Sequence, residues 1–434
     1  MSGVEPTTDL PPVVIPANYQ ICEVDYGKGS TSYPDVAIPV DGEEAPPPAP
    51  PLGVLSNFTG VYAGPGFNMI FRPNGKTIAA TTFPNPLNPP PPGGFSNNVL
   101  ELNLTRETLR FWPSLGSTPN RGLNDQKDIF LNGVPYLQTI DDVTNQATGK
   151  ADKNPSGIHF EPGLWMAVPA TTDPQVPDTL SRMASIPHGT AINAQGFAPT
   201  KVFPGPPDIK GVNITPFRIG DPTARIKFAS QTASNPDTAR LPQDLTKFIN
   251  EGTITQAVLD DPNSLLRDAI KSQTITETIV FKVSTGLTEM LSGGGAGAPT
   301  TTGATLGGGT SNIAFLVGAG GQNPNANAAV MEATFWVETV ECELELPYME
   351  PGDCQEIPAP GATYDFEGRI VPSFKVEAPC GVTEGQKITA SFQQIQYSQN
   401  VNLDFANLTW PHVSIATLVP TDPIVVPESA FDEL

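Results

Sequence analysis

Proline and glycine set the limits on what this chain can become. Its 434 residues include 49 prolines and 40 glycines, about one residue in five. Proline removes a backbone donor and breaks helix interiors, and glycine weakens helices and strands alike. Punctuation this dense cuts a chain into short elements joined by long loops, which suits strands better than helices. Helical spacing is confined to residues 242–273. There Asp261-Pro262-Asn263-Ser264 gives a break and a cap, and Leu265, Leu266, Ala269 and Ile270 fall on one helical face.

The remaining apolar segments read as strands: 58–71, 99–112, 136–140, 157–168, 182–195, 274–284, 312–317, 331–346, 387–397, 401–405 and 408–419. In 99–112, Leu100, Leu102 and Leu104 alternate onto one face. Strands do not alternate with helices, so a doubly wound sheet is ruled against, and no internal repeat is visible. The expected fold is mainly β: an antiparallel β-barrel or a sandwich. Residues 1–55 read as a proline-rich N-terminal arm, and 421–434 as a C-terminal tail. Two further loops stand out: 84–94, rich in proline, and 293–309, rich in glycine and threonine and expected to be mobile.

Charge excludes several partners. Lys and Arg number 23 against 45 Asp and Glu, a formal charge of −22. Phosphate backbones and anionic lipids both call for basic surfaces, so neither nucleic acid nor membrane is an expected partner. No apolar run reaches the roughly 18 residues of a membrane span. The first twenty residues lack the basic start and apolar run of a secretory signal, which makes cytoplasm the default location. The N-x-T sequons at Asn57, Asn103, Asn213 and Asn407 are then chance matches. Cys22, Cys342, Cys354 and Cys380 form no metal-binding spacing, although the last three lie close enough in sequence to allow a disulfide.

Motifs for phosphate loops, nucleophile elbows, zinc peptidases and EF-hands are absent. Gly293-x-Gly295-x-x-Ala298 runs into Pro299 and threonines instead of a helix, so it is no dinucleotide fingerprint. Histidine is the informative residue because only His159, His188 and His412 exist. Two of them with a carboxylate would make a metal site, but strand spacing by itself brings no two together. In 408–419, period two places Leu408, Trp410, His412, Ser414, Ala416 and Leu418 on one face. Small residues beside a histidine leave room for a flat ring, and neutral imidazole is an ordinary axial ligand to haem iron. The plainer role is a packed histidine bonded to a carbonyl. His188, between Pro187 and Gly189, fits either a strand bulge aimed into a cavity or a turn at a barrel rim. His159 shares its strand face with Glu161, which suits a hydrogen-bonded structural pair.

These residues carry a resemblance. Residues 58–66 (Phe58-Thr59-Gly60-Val61-Tyr62-Ala63-Gly64-Pro65-Gly66) resemble the first strand of the nitrobindin-like haem-binding β-barrels and of a larger bacterial haem-binding group. His159, Glu161 and Gly163 match a second strand motif of that family, and Ile186 to Thr190 resemble a third with His and Pro exchanged in order. The run from His412 to Leu418 resembles the terminal strand, whose histidine is the family's proximal haem ligand. The resemblance covers 56–200 and 387–420. It implies a lipocalin- or nitrobindin-like barrel in 56–420, with 203–386 as a large loop-rich and partly helical insertion, because the family is much shorter. It further implies haem b, with iron on His412; the strand-face reading then puts Trp410, Ser414 and Ala416 along the pocket and His188 at its distal side or mouth. Gas or redox sensing or a haem-dependent enzyme follows from it; nitrobindins bind nitric oxide and isomerise peroxynitrite. A haem-free carrier of an apolar small molecule and a structural assembly protein are the competing functions.

Overall fold

The computed structural model describes residues 48–73, 98–172, 175–186, 188–199, 201–286, 309–313, 316, 325–360, 371–432 and 434. Ten antiparallel strands close into a barrel, as the mainly β reading expects. They are β1 (Val61–Pro73), β2 (Asn98–Phe111), β3 (Ile129–Asn145), β4 (Lys150–Val168), β5 (Thr179–Ile186), β6 (Thr190–Phe197), β7 (Thr274–Ser284), β8 (Asn327–Glu345), β9 (Lys387–Phe405) and β10 (Leu408–Pro420). Each pairs with the next, and β10 returns to β1 with Phe67 opposite Ile415 and Asn68 opposite Ser414. Closure removes the sheet edges that would otherwise pair with other chains.

Strands from both ends of the sequence complete one barrel, as expected. The middle segment departs from expectation. Residues 203–386 are not simply added to a finished barrel, because β7 and β8 lie inside that range and form part of the wall. A barrel lacking them would leave β6 and β9 as open edges. Three smaller differences follow from local chemistry. The expected strand 182–195 is a hairpin, β5 and β6, with Ile186 paired to Thr190 and Gly189 at φ 105°. The segments 387–397 and 401–405 form one continuous β9. The C-terminal tail is ordered on the body: Ile424–Val425 adds in parallel to a small sheet of Cys354–Pro358 and Ser373–Glu377. The loop 84–94 and residues 293–308 lie outside the described residues, as does nearly all of the N-terminal arm.

The wall is apolar on both faces. On β10, Ala416 and Leu418 join the inner core, while Val413, Ile415 and Val419 join an outer one. That explains the near-continuous apolar run, since a strand covered on both sides loses its polar alternation. The outer cover includes three short helices: α1 (Thr246–Glu251), α2 (Gln256–Asp260) and α3 (Ser264–Ile270). Phe248, Val258, Leu259, Leu266 and Ile270 belong to the same apolar cluster as Leu100, Leu102, Leu104 and Trp336 of the wall, and α3 packs against β10. Helices of one or two turns do not hold themselves in water, so burial of these side chains maintains them. Each contributes about 1.5–3 kcal/mol on full burial. No helix among the described residues is long and apolar enough to cross a membrane. Cys342, Cys354 and Cys380 are free thiols, so the disulfide allowed by their spacing does not form. Cys22 lies outside the described residues.

Candidate functional site

The barrel interior is divided into two levels. The end where β1 begins is closed by a single 3₁₀ segment, Gly53–Asn57, which inserts Val54 and Leu55 and leads into buried Phe58. Above it the rings of Phe58, Phe111, Trp165, Phe281 and Phe335 pack at centroid distances of 4.7–6.2 Å. This half is filled by side chains.

On top of the aromatic floor lies a buried polar layer. Arg182 projects from β5 with its guanidinium carbon 5.6–5.7 Å from the ring centres of Tyr136, Trp165 and Phe335. Its Nη2 donates to Glu161 Oε1 at 2.6 Å, its Nε to Tyr136 Oη at 2.9 Å and its Nη1 to Gln399 Oε1 at 2.7 Å. Gly163 makes room for this arrangement, since a Cβ there would lie 2.4 Å from the Tyr136 ring. A second carboxylate, Glu107, accepts from Tyr397 Oη at 2.5 Å, from Gln138 Nε2 at 3.2 Å and from Thr105 Oγ1 at 3.3 Å. Gln138 joins the two halves, because its oxygen accepts from Arg182 Nη2 at 3.3 Å.

The two carboxylates differ in charge for a physical reason. Burial would raise both. At Glu161 the Arg182 guanidinium and His159 outweigh burial and hold the carboxyl at about 2. Glu107 has neutral hydrogen-bond donors and no cation in contact, and burial pushes it up to about 7. Burial and the neighbouring carboxylates push the phenols of Tyr136 and Tyr397 well above their usual value.

The opposite end of the barrel carries all three histidines. His159 on β4 faces inward one step above Glu161, and its Nε2 lies 3.1 Å from Glu161 Oε2. His188 sits in the β5–β6 turn, exposed at the rim, with its ring centroid 5.5 Å from that of His159. His412 on β10 is half-buried, and both other histidines are close enough to depress its pKa electrostatically. Burial first, then these two neighbours, bring His412 down to about 3, so its imidazole is neutral at ordinary pH. Asn68 of β1 spans from His412 Nε2 to Ser414 Oγ, 2.8 Å from each. An amide nitrogen only donates, so His412 accepts at Nε2 and carries its proton on Nδ1.

The expected site residues therefore separate. Strand spacing brings no two histidines together, but barrel closure collects all three. Of the two readings of His188, the turn at the rim is the observed one. The His159–Glu161 pair forms as expected. Ser414 and Ala416 face the interior beside His412, Ser414 against Asn68 and Ala416 within the inner core beside Tyr397. Trp410 does not line this space. Its ring packs on Phe405, Phe71 and Phe228 at 4.8–5.1 Å, within the outer core, and its Nε1 donates to the carbonyl of Phe405. β10 carries its two ends into different environments, which period two does not reveal.

Asn68, Glu107, Arg182, Tyr136 and Tyr397 were not among the expected site residues. The signal for two of them was present: Glu107 shares its strand face with Leu109 and Phe111, and Arg182 shares its face with Leu180 and Ala184. A lone charge among apolar neighbours of one face points inward and needs a partner. Among the described residues, no group of three or more His, Cys, Asp or Glu is arranged to hold a metal ion. A cavity of about 310 Å³ lies at the closed end, lined by Tyr62, Phe392 and Pro420 among others, far along β1 and β10 from the histidines. The chain matches no protein-family model, no curated protein and no solved structure.

Proposed function

We propose that the barrel binds haem b at its histidine-ringed mouth, with His412 as the axial ligand. The observation that carries this reading is the convergence of the chain's three histidines, from β4, the β5–β6 turn and β10, on the end opposite the 3₁₀ segment. Donor chemistry fits: His412 is a neutral imidazole, the form that ligates iron, with small Ser414 and Ala416 beside it on the inner face. In the arrangement described above, Nε2 is held by Asn68, so iron would replace that amide as its partner. Bound there, haem would supply an iron centre for gas binding, peroxide chemistry or electron transfer. The chain's residues would do the rest. His412 holds the group, Ser414 retains Asn68 after it leaves the imidazole, and His188 and His159 border the approach from solvent.

The filled aromatic half confines any guest, haem or another apolar molecule, to the level above those rings. The test is a titration of the purified chain with haemin, read by the Soret band. The expected result is one equivalent bound in the native protein and a lost or strongly shifted band in His412→Ala, with the far-ultraviolet β signal unchanged. An unchanged band in His412→Ala overturns the assignment. Co-purified lipid without a Soret band would support the carrier, and large assemblies binding neither would support the structural role.

A further inference from the structure

We infer that His159 and His188 form a second, haem-independent site for a borderline divalent metal such as Zn²⁺, Ni²⁺ or Cu²⁺, completed by water. Histidines that ligate metals characteristically donate their other ring N–H to a carboxylate or a backbone carbonyl, which fixes tautomer and orientation. Both rings have this backing. His159 Nε2 lies 3.1 Å from Glu161 Oε2, and Glu161 is ion-paired with Arg182 Nη2 at 2.6 Å. An ionised carboxylate only accepts, so Nε2 is the donor and the lone pair of His159 is on Nδ1. His188 hydrogen-bonds to the backbone of Ile158, which orients its ring and leaves the other nitrogen as the acceptor.

Separation agrees with a shared ion. With Zn–N near 2.0–2.1 Å, an imidazole centroid lies about 3.2 Å from the metal, and two such rings at a tetrahedral angle have centroids about 5.2 Å apart. The observed separation is 5.5 Å, with the planes tilted by 41°. His412 does not belong to the set in this arrangement, because its Nε2 is engaged by Asn68 and its proton is on Nδ1. That leaves two protein nitrogens, in keeping with the absence of any three-ligand cluster among the described residues. The ligand preference follows from donor type: imidazole suits zinc, nickel and copper and discriminates against magnesium and calcium. Exposure of His188 at the rim gives the ion an entry path.

This inference rests on the same histidine-lined mouth as the proposed function but not on haem, and its test is run without haem. Zinc is titrated into the full chain in competition with a chromophoric chelator. The expected result is one equivalent bound, with affinity at least tenfold weaker in His188→Ala and in His159→Ala. His188 lies in an exposed turn, so His188→Ala should retain the native melting transition and decides the matter if His159→Ala does not fold. The 45 acidic residues persist in both variants, so nonspecific attraction to a negative chain would survive there. Absence of a one-equivalent site in the native chain, or native affinity in His188→Ala, overturns the proposal. A chain that takes zinc but no haemin keeps this site and loses the haem reading; one that takes haemin but no zinc does the reverse.

Discussion

Arg182 and Glu161 face each other inside the barrel, Nη2 to Oε1 at 2.6 Å, with side chains 3% and 0% exposed. The pair is ringed by neutral donors and acceptors, and its guanidinium lies on an aromatic floor. A buried ion pair of this kind returns little net stability compared with a well-packed apolar replacement, but removing one partner strands a charge.

Single substitutions at this pair should therefore cost more than the double one. Arg182→Met or Glu161→Gln alone should destabilise the barrel by about 3–5 kcal/mol. The double variant should recover a large part of that loss, because no unpaired charge remains. Urea unfolding of the four proteins measures the coupling, and strict additivity would mean that the two groups do not act as a pair.

A different arginine holds the outer layer. Arg240 is fully buried and donates to the carbonyls of Ser230, Thr232, Ala233, Asn235, Pro242 and Gln243, with no carboxylate in contact. It gathers a loop of 229–243 around one fork of donors. Arg240→Lys should fail to substitute, since an ammonium has three donors and no planar fork. The expected loss is roughly 2–4 kcal/mol, from buried carbonyls left without donors. Hydrogen exchange should show the 229–260 region opening first, while β1, β2 and β10 stay protected.

Much of this architecture was legible in the chain and part of it was not. Alternation placed His412, Ser414 and Ala416 on one face, and helical spacing found α1 to α3. The meeting of His159, His188 and His412 depends on strand register around a closed barrel, which no local spacing encodes. Residues 274–284 and 331–346 were readable as strands, yet a shorter family pattern assigned them to an insertion when they complete the wall. Trp410 shares parity with His412, but its strand end leaves the inner level.

Buried acids should set the pH profile of stability. Glu107 is raised to about 7 and Glu338 to about 8 by burial; Glu338 is met by Gln394 Nε2 at 2.6 Å under the helical layer. Both keep a proton when folded that the unfolded chain, with carboxyls near 4.5, releases. The folded state thus binds more protons between pH 4.5 and 7 to 8, and stability falls as pH rises through that window. Glu161 acts oppositely: its folded value of about 2 gives stability above 4.5 that is lost as pH falls toward 2. Glu338→Gln should flatten the decline on the alkaline side, by an amount on the order of a few kcal/mol at pH 8. Melting temperatures from pH 4 to 9 test it, and an unchanged slope in Glu338→Gln would assign the decline to other groups.

Asn68 should act as a competitor for the axial position. Its amide holds His412 Nε2 and Ser414 Oγ at 2.8 Å each, so a group that takes Nε2 has to displace one hydrogen bond. Such a bond has a net worth of about 0.5–1.5 kcal/mol, and its removal corresponds to as much as tenfold in affinity. Asn68→Ala should therefore bind haemin more tightly than the native chain, by about threefold to tenfold. His412 is neutral down to about pH 3, so proton competition for its imidazole should not appear near the usual histidine range, and haemin affinity should stay level from pH 8 to 5. The same depression predicts that stability present above pH 6.5 is lost as pH falls from 6.5 toward 3, because the unfolded chain takes up a proton that the folded imidazole refuses. A haemin affinity that drops tenfold per pH unit below 6.5, or weakens in Asn68→Ala, would place the ligating group elsewhere than His412.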